Sequence, residues 1–457
     1  MSTKNVLGID MGASNGRAVV GRYNGKKLEI AELHRFNNVP VTLNAGYYWD
    51  VLSLFDQIKK SIAKSSDIKI DSVGIDTWGV DFGLIDENGY LLENPHHYRD
   101  PRTEGMPRKV FDKIPEYDIF AQTGMHPAQL TTLFQLAALR QNQENILKAA
   151  KTLLFMPDLF RFLLTGDRSS EHTIAATSLL FDPNTKEWIK NYLEAFEIPD
   201  ILPKLKSAGR IAGKLTDGIA RELNVENIPV IRIAGHDTAS AILSVPSAEE
   251  NIAYISCGTW SIAGADEDRF ITDKKALEQG FNNEMGYDDT NMFVKNITGL
   301  WVLQECITEW QREGVKINYE EMNKSIHDVK LNTYINLDSE EFGKPGNMAN
   351  KIRAYTKRTN QHNPRTKQEI YKTVWVSLAL KYKQTIEELE ALTHRNYSAI
   401  HIIGGGARSD YLCQLTSDIT GKEVLSGPYE ATVIGNMLVQ LIALGELKGT
   451  EEAKQLV

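Results

Sequence analysis

Asp10 stands where the apolar run Val6-Leu7-Gly8-Ile9 gives way to a turn of small residues, Gly12-Ala13-Ser14-Asn15-Gly16, before a second apolar run over 18–20. A carboxylate at such a strand end, beside backbone N–H groups and the donors of Ser14 and Asn15, could hold a Mg2+ ion through water next to a phosphate. Gly8, Gly12 and Gly16 are expected to let the backbone approach a ligand closely and to adopt positive φ. The turn is neither the Gly-x-Gly-x-x-Gly that opens a helix nor the Gly-x-x-x-x-Gly-Lys-[Ser/Thr] of P-loops. A hairpin whose Asp and Asn only serve the turn is the competing reading.

A second acid, Asp237, follows the strand-like Ile231-Arg232-Ile233 through Gly235, with His236 and Thr238 on either side, at the start of a predicted helix. Backbone N–H groups at a helix start can receive an anion or a hydroxyl. Asp and Thr are also favoured there as caps, worth about 0.5–2 kcal/mol, and that reading stays open. After the β-branched run 400–403, Gly404, Gly405 and Gly406 precede a helix bearing Leu412, Leu415 and Ile419. With no Cβ in the way, the flat face of a nucleobase or ribose could lie there; a tight strand-to-helix turn is the alternative. Asp76, Thr77, Trp78 and Asp81 offer a ring on which a sugar could stack and polar groups to bind it, against packed core with satisfied polar groups.

The elements that must position these residues alternate. Strands are expected over 72–76, 80–85, 230–234, 253–256 and 399–403, and helices over 51–64, 131–141 and 367–392, the last led by the capping-box residues Thr366 and Glu369. That alternation predicts an α/β architecture. The stretch 253–264 repeats the opening plan of apolar strand, Gly/Ser/Thr turn and apolar strand, so two similar halves are expected. At 457 residues the chain exceeds one core, which predicts two domains with a cleft between them. Pro246, small hydroxyl residues and acids over 244–251 mark the linker, dividing the chain into 1–246 and 247–457.

Lys and Arg number 51 against 60 Asp and Glu, a net charge of −9 with no basic run, which argues against nucleic acid or an anionic membrane as partner. Cys257, Cys306 and Cys413 form no metal-spaced pair and read as free thiols in a reducing compartment. With no long apolar stretch, a cytoplasmic protein is expected.

Taken in order, Gly8-Ile9-Asp10, Gly74-Ile75-Asp76-Thr77-Trp78-Gly79-Val80-Asp81, Tyr98-Arg99-Asp100, Gly235-His236-Asp237-Thr238-Ala239-Ser240-Ala241, Ser256-Cys257-Gly258-Thr259-Trp260-Ser261, Asn296-Ile297-Thr298-Gly299-Leu300-Trp301 and Gly404-Gly405-Gly406-Ala407-Arg408-Ser409-Asp410 resemble the FGGY carbohydrate kinases, over 6–436. The resemblance implies two actin-like (ribonuclease H-like) ATPase domains flanking a cleft, with ATP, Mg2+ and a ketose as ligands. It points to the branch that phosphorylates L-rhamnulose at O1 in L-rhamnose catabolism, with L-fuculose or D-xylulose as alternative substrates and an actin-like ATPase without sugar transfer as a different class. By position it assigns Ala13, Ser14, Asn15, Gly16, Arg17, Thr259, Gln304, Gly404, Gly405 and Gly406 to ATP. Gly79, His236, Asp237, Thr238 and Asn296 fall to the sugar, Asp237 being the general base, and Asp10 to Mg2+ through water. Asn15 stands where the family commonly has a second Ser, which keeps a donor. Such kinases usually carry a further C-terminal segment after this region, and the resemblance leaves the packing of the last helix open.

Overall fold

The structure is a computed structural model and describes residues 3–246 and 251–457. Strands Lys4–Met11 and Asn15–Tyr23 form the expected antiparallel hairpin. Val6, Leu7, Ile9 and Met11 have no exposed surface, so the first strand is covered on both faces, as a strand inside a helix-flanked parallel sheet must be. Ser72–Thr77 pairs with it in parallel, and Pro229–Arg232 pairs in parallel with Ser72–Thr77. Across the sheet the order is Arg210–Lys214, Pro229–Arg232, Ser72–Thr77, Lys4–Met11, Asn15–Tyr23 and Leu28–Asn37.

Helices cover this sheet, two of them at its N-terminal strands. Val51–Ala63 is capped by Asp50, whose carboxylate accepts from the Ser53 N–H, and it buries Leu54, Ile58 and Ile62 along one face. Ala431–Ala443 packs Val433, Met437 and Leu441 into one cluster with Val6, Val19, Ile231 and Ile233. Close packing explains two of the glycines. A Cβ at Gly8 would stand 2.8 Å from Val433, and one at Gly16 would stand 2.4 Å from the Phe36 ring. Neither glycine, nor Gly12, has positive φ. The expectation of left-handed backbone there is corrected: Gly8 and Gly16 are strand residues whose missing side chains admit close packing.

In a second sheet Asn291–Thr298, Trp260–Glu267, Ile252–Cys257, Ala399–Ile403 and Glu423–Ser426 are successive neighbours. Ile252–Cys257 and Trp260–Glu267 are antiparallel, while Ile252–Cys257, Ala399–Ile403 and Glu423–Ser426 are successive parallel neighbours. The hairpin, then two parallel strands, repeats the succession Asn15–Tyr23, Lys4–Met11, Ser72–Thr77, Pro229–Arg232 of the first sheet, so the echo read in the sequence is a shared topology. The helix Lys367–Thr393 begins with the expected capping box: Glu369 N–H donates to Thr366 Oγ1, and the Thr366 N–H donates to the Glu369 carboxylate.

Two compact units result. The first holds 3–246, 267–292 and 431–457, the second 251–266 and 293–430. Residues 247–250 of the expected linker lie outside the described residues. All three cysteines are free thiols. Among the described residues no helix is long and apolar enough to cross a membrane.

Candidate active site

In parallel α/β sheets the carboxyl ends of neighbouring strands face one way and gather the residues that follow them. In the first unit Asp10 and Asp76 are direct register partners on adjacent parallel strands. One position further on, Thr77 forms a bridge with His236, its N–H donating to the Gly235 carbonyl at 2.9 Å. Asp10, Asp76 and Asp237, from three sequence-distant segments, thus meet at one end of the sheet.

The Asp10 charge disfavours ionisation of the two acids beside it. Burial, then the Asp10 charge, pushes Asp76 well above the usual carboxylate range, while the Asn436 amide, 2.6 Å from Asp76 Oδ2, works against the rise. Asp76 is completely buried and its Oδ1 meets no donor, so a proton on that oxygen would satisfy it. Asp237 is pushed up to about 7 by burial and then by Asp10, opposed by the N–H and hydroxyl of Thr238. Its side chain keeps 32% of its surface open, so water moderates that push and an acceptor can reach the carboxylate. Asp10 is ion-paired: Arg17 Nε and Nη2 both donate to its Oδ2, at 3.0 and 2.9 Å.

The donor set fits a hydrated Mg2+. Hard carboxylate oxygens gathered at one sheet end suit a divalent cation, with the Arg17 guanidinium as the resident counter-charge. Among the described residues no group of three or more His, Cys, Asp or Glu is arranged to ligate a metal directly.

Asp237 opens the helix Asp237–Leu243 with His236 at the cap position. The turn before it is fixed from a part of the sequence that motif reading passed over. Glu171 Oε2 accepts from the Gly235 N–H at 3.0 Å, and Thr173 Oγ1 accepts from the His236 N–H at 3.2 Å. His236 places Nε2 3.4 Å from Asp237 and Nδ1 3.5 Å from Glu284. Burial lowers its pKa, against the pull of Glu284, which favours a neutral imidazole beside Asp237. Glu284 was missed too. The signal for it is an acid in the middle of Phe281–Met285, a strand with every residue buried.

Gly79 lies two residues beyond Thr77, in a turn where Val80 takes φ +68°, a region that β-branched residues avoid. Thr177 Oγ1 accepts from the Val80 N–H at 3.0 Å and Thr132 Oγ1 donates to its carbonyl at 2.7 Å, which holds the strained turn. The structure does not offer Trp78 as an exposed stacking ring. It is 5% exposed, and its indole, that of Trp49, the Tyr98 N–H and the Gln135 amide all donate to Asp81. Asp81 is a buried hub, pushed up to about 6 by burial against those four donors, so the packed-core reading holds for this pair.

The second unit gathers the other expected contacts. The Gly258 and Thr259 carbonyls accept from the Leu300 and Trp301 N–H groups, at 2.9 and 3.1 Å, and Gln304 lies within the helix Trp301–Arg312 that starts there. Gly404 follows the end of Ala399–Ile403 with φ +80°, and a Cβ on Gly406 would stand 2.1 Å from Cys257 Sγ. Glycine is needed there both for conformation and for space. Asn296 is exposed on Asn291–Thr298.

Comparison with known proteins gives two successive matches. A family model described as "FGGY family of carbohydrate kinases, N-terminal domain" matches residues 5–244, and the corresponding C-terminal domain matches 253–444. The chain is 38% identical to a rhamnulokinase of Halalkalibacterium halodurans over 99% of its own length and 96% of that protein's. It is 36% identical to a rhamnulokinase of Bacteroides thetaiotaomicron, over 99% and 94%. Among solved structures, a ligand-bound xylulose kinase from Lactobacillus acidophilus superposes with a TM-score of 0.81 at 17% identity, over 99% of this chain and 92% of that one. A Plasmodium falciparum glycerol kinase with ADP gives 0.78 at 17% identity, with the same coverage.

Proposed function

This chain belongs to the FGGY family of carbohydrate kinases, and from that membership we propose that it transfers the γ-phosphoryl group of ATP to O1 of L-rhamnulose. The observation that carries the catalytic part is Asp237: a partly open carboxylate at a helix start, raised toward neutrality, with a histidine beside it whose burial favours the neutral form. Full-length similarity to proteins named rhamnulokinase carries the choice of sugar.

Phosphoryl transfer asks a protein mainly for positioning and for donors aimed at the transferring group. Asp237 accepts the proton of the O1 hydroxyl as the new O–P bond forms and the bond to ADP breaks. His236 and Thr238 flank that carboxylate and bind sugar hydroxyls together with Gly79 and Asn296. The turn 13–17, Thr259, Gln304 and Gly404–Gly406 bind ATP, the glycines admitting its surface where side chains would not fit. Bound Mg2+, held through water at Asp10, would neutralise phosphate charge.

ADP release from Mg-ATP, followed with L-rhamnulose, L-fuculose, D-xylulose, glycerol and no sugar, tests this. The expected result is release far faster with L-rhamnulose, yielding a 1-phosphate. Preference for another ketose replaces the substrate, and sugar-independent release overturns the kinase reading in favour of an ATPase.

A further inference from the structure

The helix Ala431–Ala443 carries two amides in an otherwise apolar sequence, Asn436 and Gln440, one turn apart and both with no exposed surface. Each is saturated by partners on the strands beneath. Gln440 Nε2 donates to the Leu7 carbonyl at 3.1 Å and to Asn436 Oδ1 at 2.7 Å, and its Oε1 accepts from Ser72 Oγ at 2.7 Å. Asn436 Nδ2 donates to the Gly74 carbonyl at 3.2 Å and to Asp76 Oδ2 at 2.6 Å. The pair therefore ties the strand that ends in Asp10 to the strand that ends in Asp76 and terminates on the Asp76 carboxyl itself.

Space for this ladder is made by missing side chains. A Cβ on Gly74 would lie 2.6 Å from Asn436 Oδ1 and 2.9 Å from Gln440 Nε2. On the helix itself, a Cβ on Gly435 would lie 1.7 Å from the Ser240 carbonyl, in the helix that Asp237 opens. One helix thus touches the three elements that carry the three carboxyls. An apolar helix of the same shape would bury as much surface without the cost of desolvating two amides, so core packing alone does not call for them.

We propose that Asn436, supported by Gln440, is a positioning residue for phosphoryl transfer, acting through Asp76. It fixes which way the Asp76 carboxyl faces and holds the Asp10 and Asp76 strand ends in register with the Asp237 turn. Asn436 touches neither substrate nor the reacting atoms; its effect on the reaction passes through that carboxyl. The inference rests on the kinase reading above.

The test is a double-mutant cycle on the full chain, with Asn436→Leu, Asp76→Ala and the pair, reading kcat, the KM for each substrate and the melting temperature. Asn436→Leu is expected to lower kcat by 10-fold or more with both KM values within about threefold, measured well below its own melting temperature. The double variant is expected to cost no more in kcat than Asp76→Ala alone. Should Asn436→Leu not fold, Asn436→Ser, which leaves room for water, takes its place in the cycle. Multiplicative effects on kcat, or a lowered melting temperature with kcat unchanged, overturn the inference. Wild-type protein without sugar-dependent turnover would instead overturn the kinase reading, and the two failures are told apart by the wild-type control.

Discussion

At the scale of single residues, Asp237 shows why local sequence leaves a role open. An Asp at a helix start is ordinary cap chemistry. What separates it from a cap here is that it accepts from its own neighbour Thr238, lies 3.4 Å from His236 Nε2, keeps an open face, and feels the charge of Asp10 from another strand. Asp237→Asn is expected to lower kcat by about 10² to 10⁴ while both KM values stay near wild type. Because the carboxylate form fills as pH rises through about 7, kcat/KM for the sugar should fall as pH drops below that value. An acid limb near the ordinary Asp value of about 4 would show that burial and Asp10 do not act on this group. The sign for stability is opposite. A carboxyl whose folded-state pKa is raised supports the fold below the unfolded value, and that support is lost as pH rises through the folded one. The asparagine variant should therefore melt no lower than wild type at pH 8, and a lower melting temperature there would contradict the shift.

Among elements, those with strong local signals stand where the sequence puts them. The capping box of Lys367–Thr393 and the Asp50-capped helix Val51–Ala63 follow from short-range chemistry. The strand expected over 80–85 instead begins at Phe82, because Val80 is held at positive φ by Thr177 and Thr132, which are remote in sequence. The Gly404–Gly406 turn is a packed junction against Cys257, and its effect is testable. Gly406→Ala places a methyl 2.1 Å from Cys257 Sγ, both residues being buried, so the turn must shift. Overpacking of this kind costs about 1–3 kcal/mol. Steady-state kinetics are expected to show the KM for ATP raised 10-fold or more with the KM for sugar little changed; equal effects on both would remove this turn from nucleotide binding.

At the scale of the molecule, the chain returns to its first unit after building most of the second. Val433, Met437, Leu438, Val439 and Leu441 have no exposed surface and share a core with the N-terminal strands. Burying such a side chain is worth about 1.5–3 kcal/mol, so five of them match the roughly 5–15 kcal/mol by which a domain is stable. A chain shortened to end at residue 430 is expected to lose the folded first unit, read as protease sensitivity within 3–246 and loss of sugar turnover. Retained turnover would show that the helix is dispensable. No linear division of the sequence captures this, since the expected boundary separates 431–457 from the strands they cover.

The sequence by itself determined the α/β alternation, the repeated hairpin plan and the residue types that could do chemistry, because these depend on side-chain periodicity and on turn or cap preferences within a few residues. Family membership was equally legible, since it lies in the order of short motifs. Tertiary structure alone decided that Asp10, Asp76 and Asp237 share one sheet end, that Trp78 and Asp81 are core, and that Glu171, Thr173, Glu284 and Asn436 pack against Gly235, His236 and Asp76. Protonation, burial and orientation arise from groups that are tens to hundreds of residues apart in the chain and meet only when the parallel strands come into register.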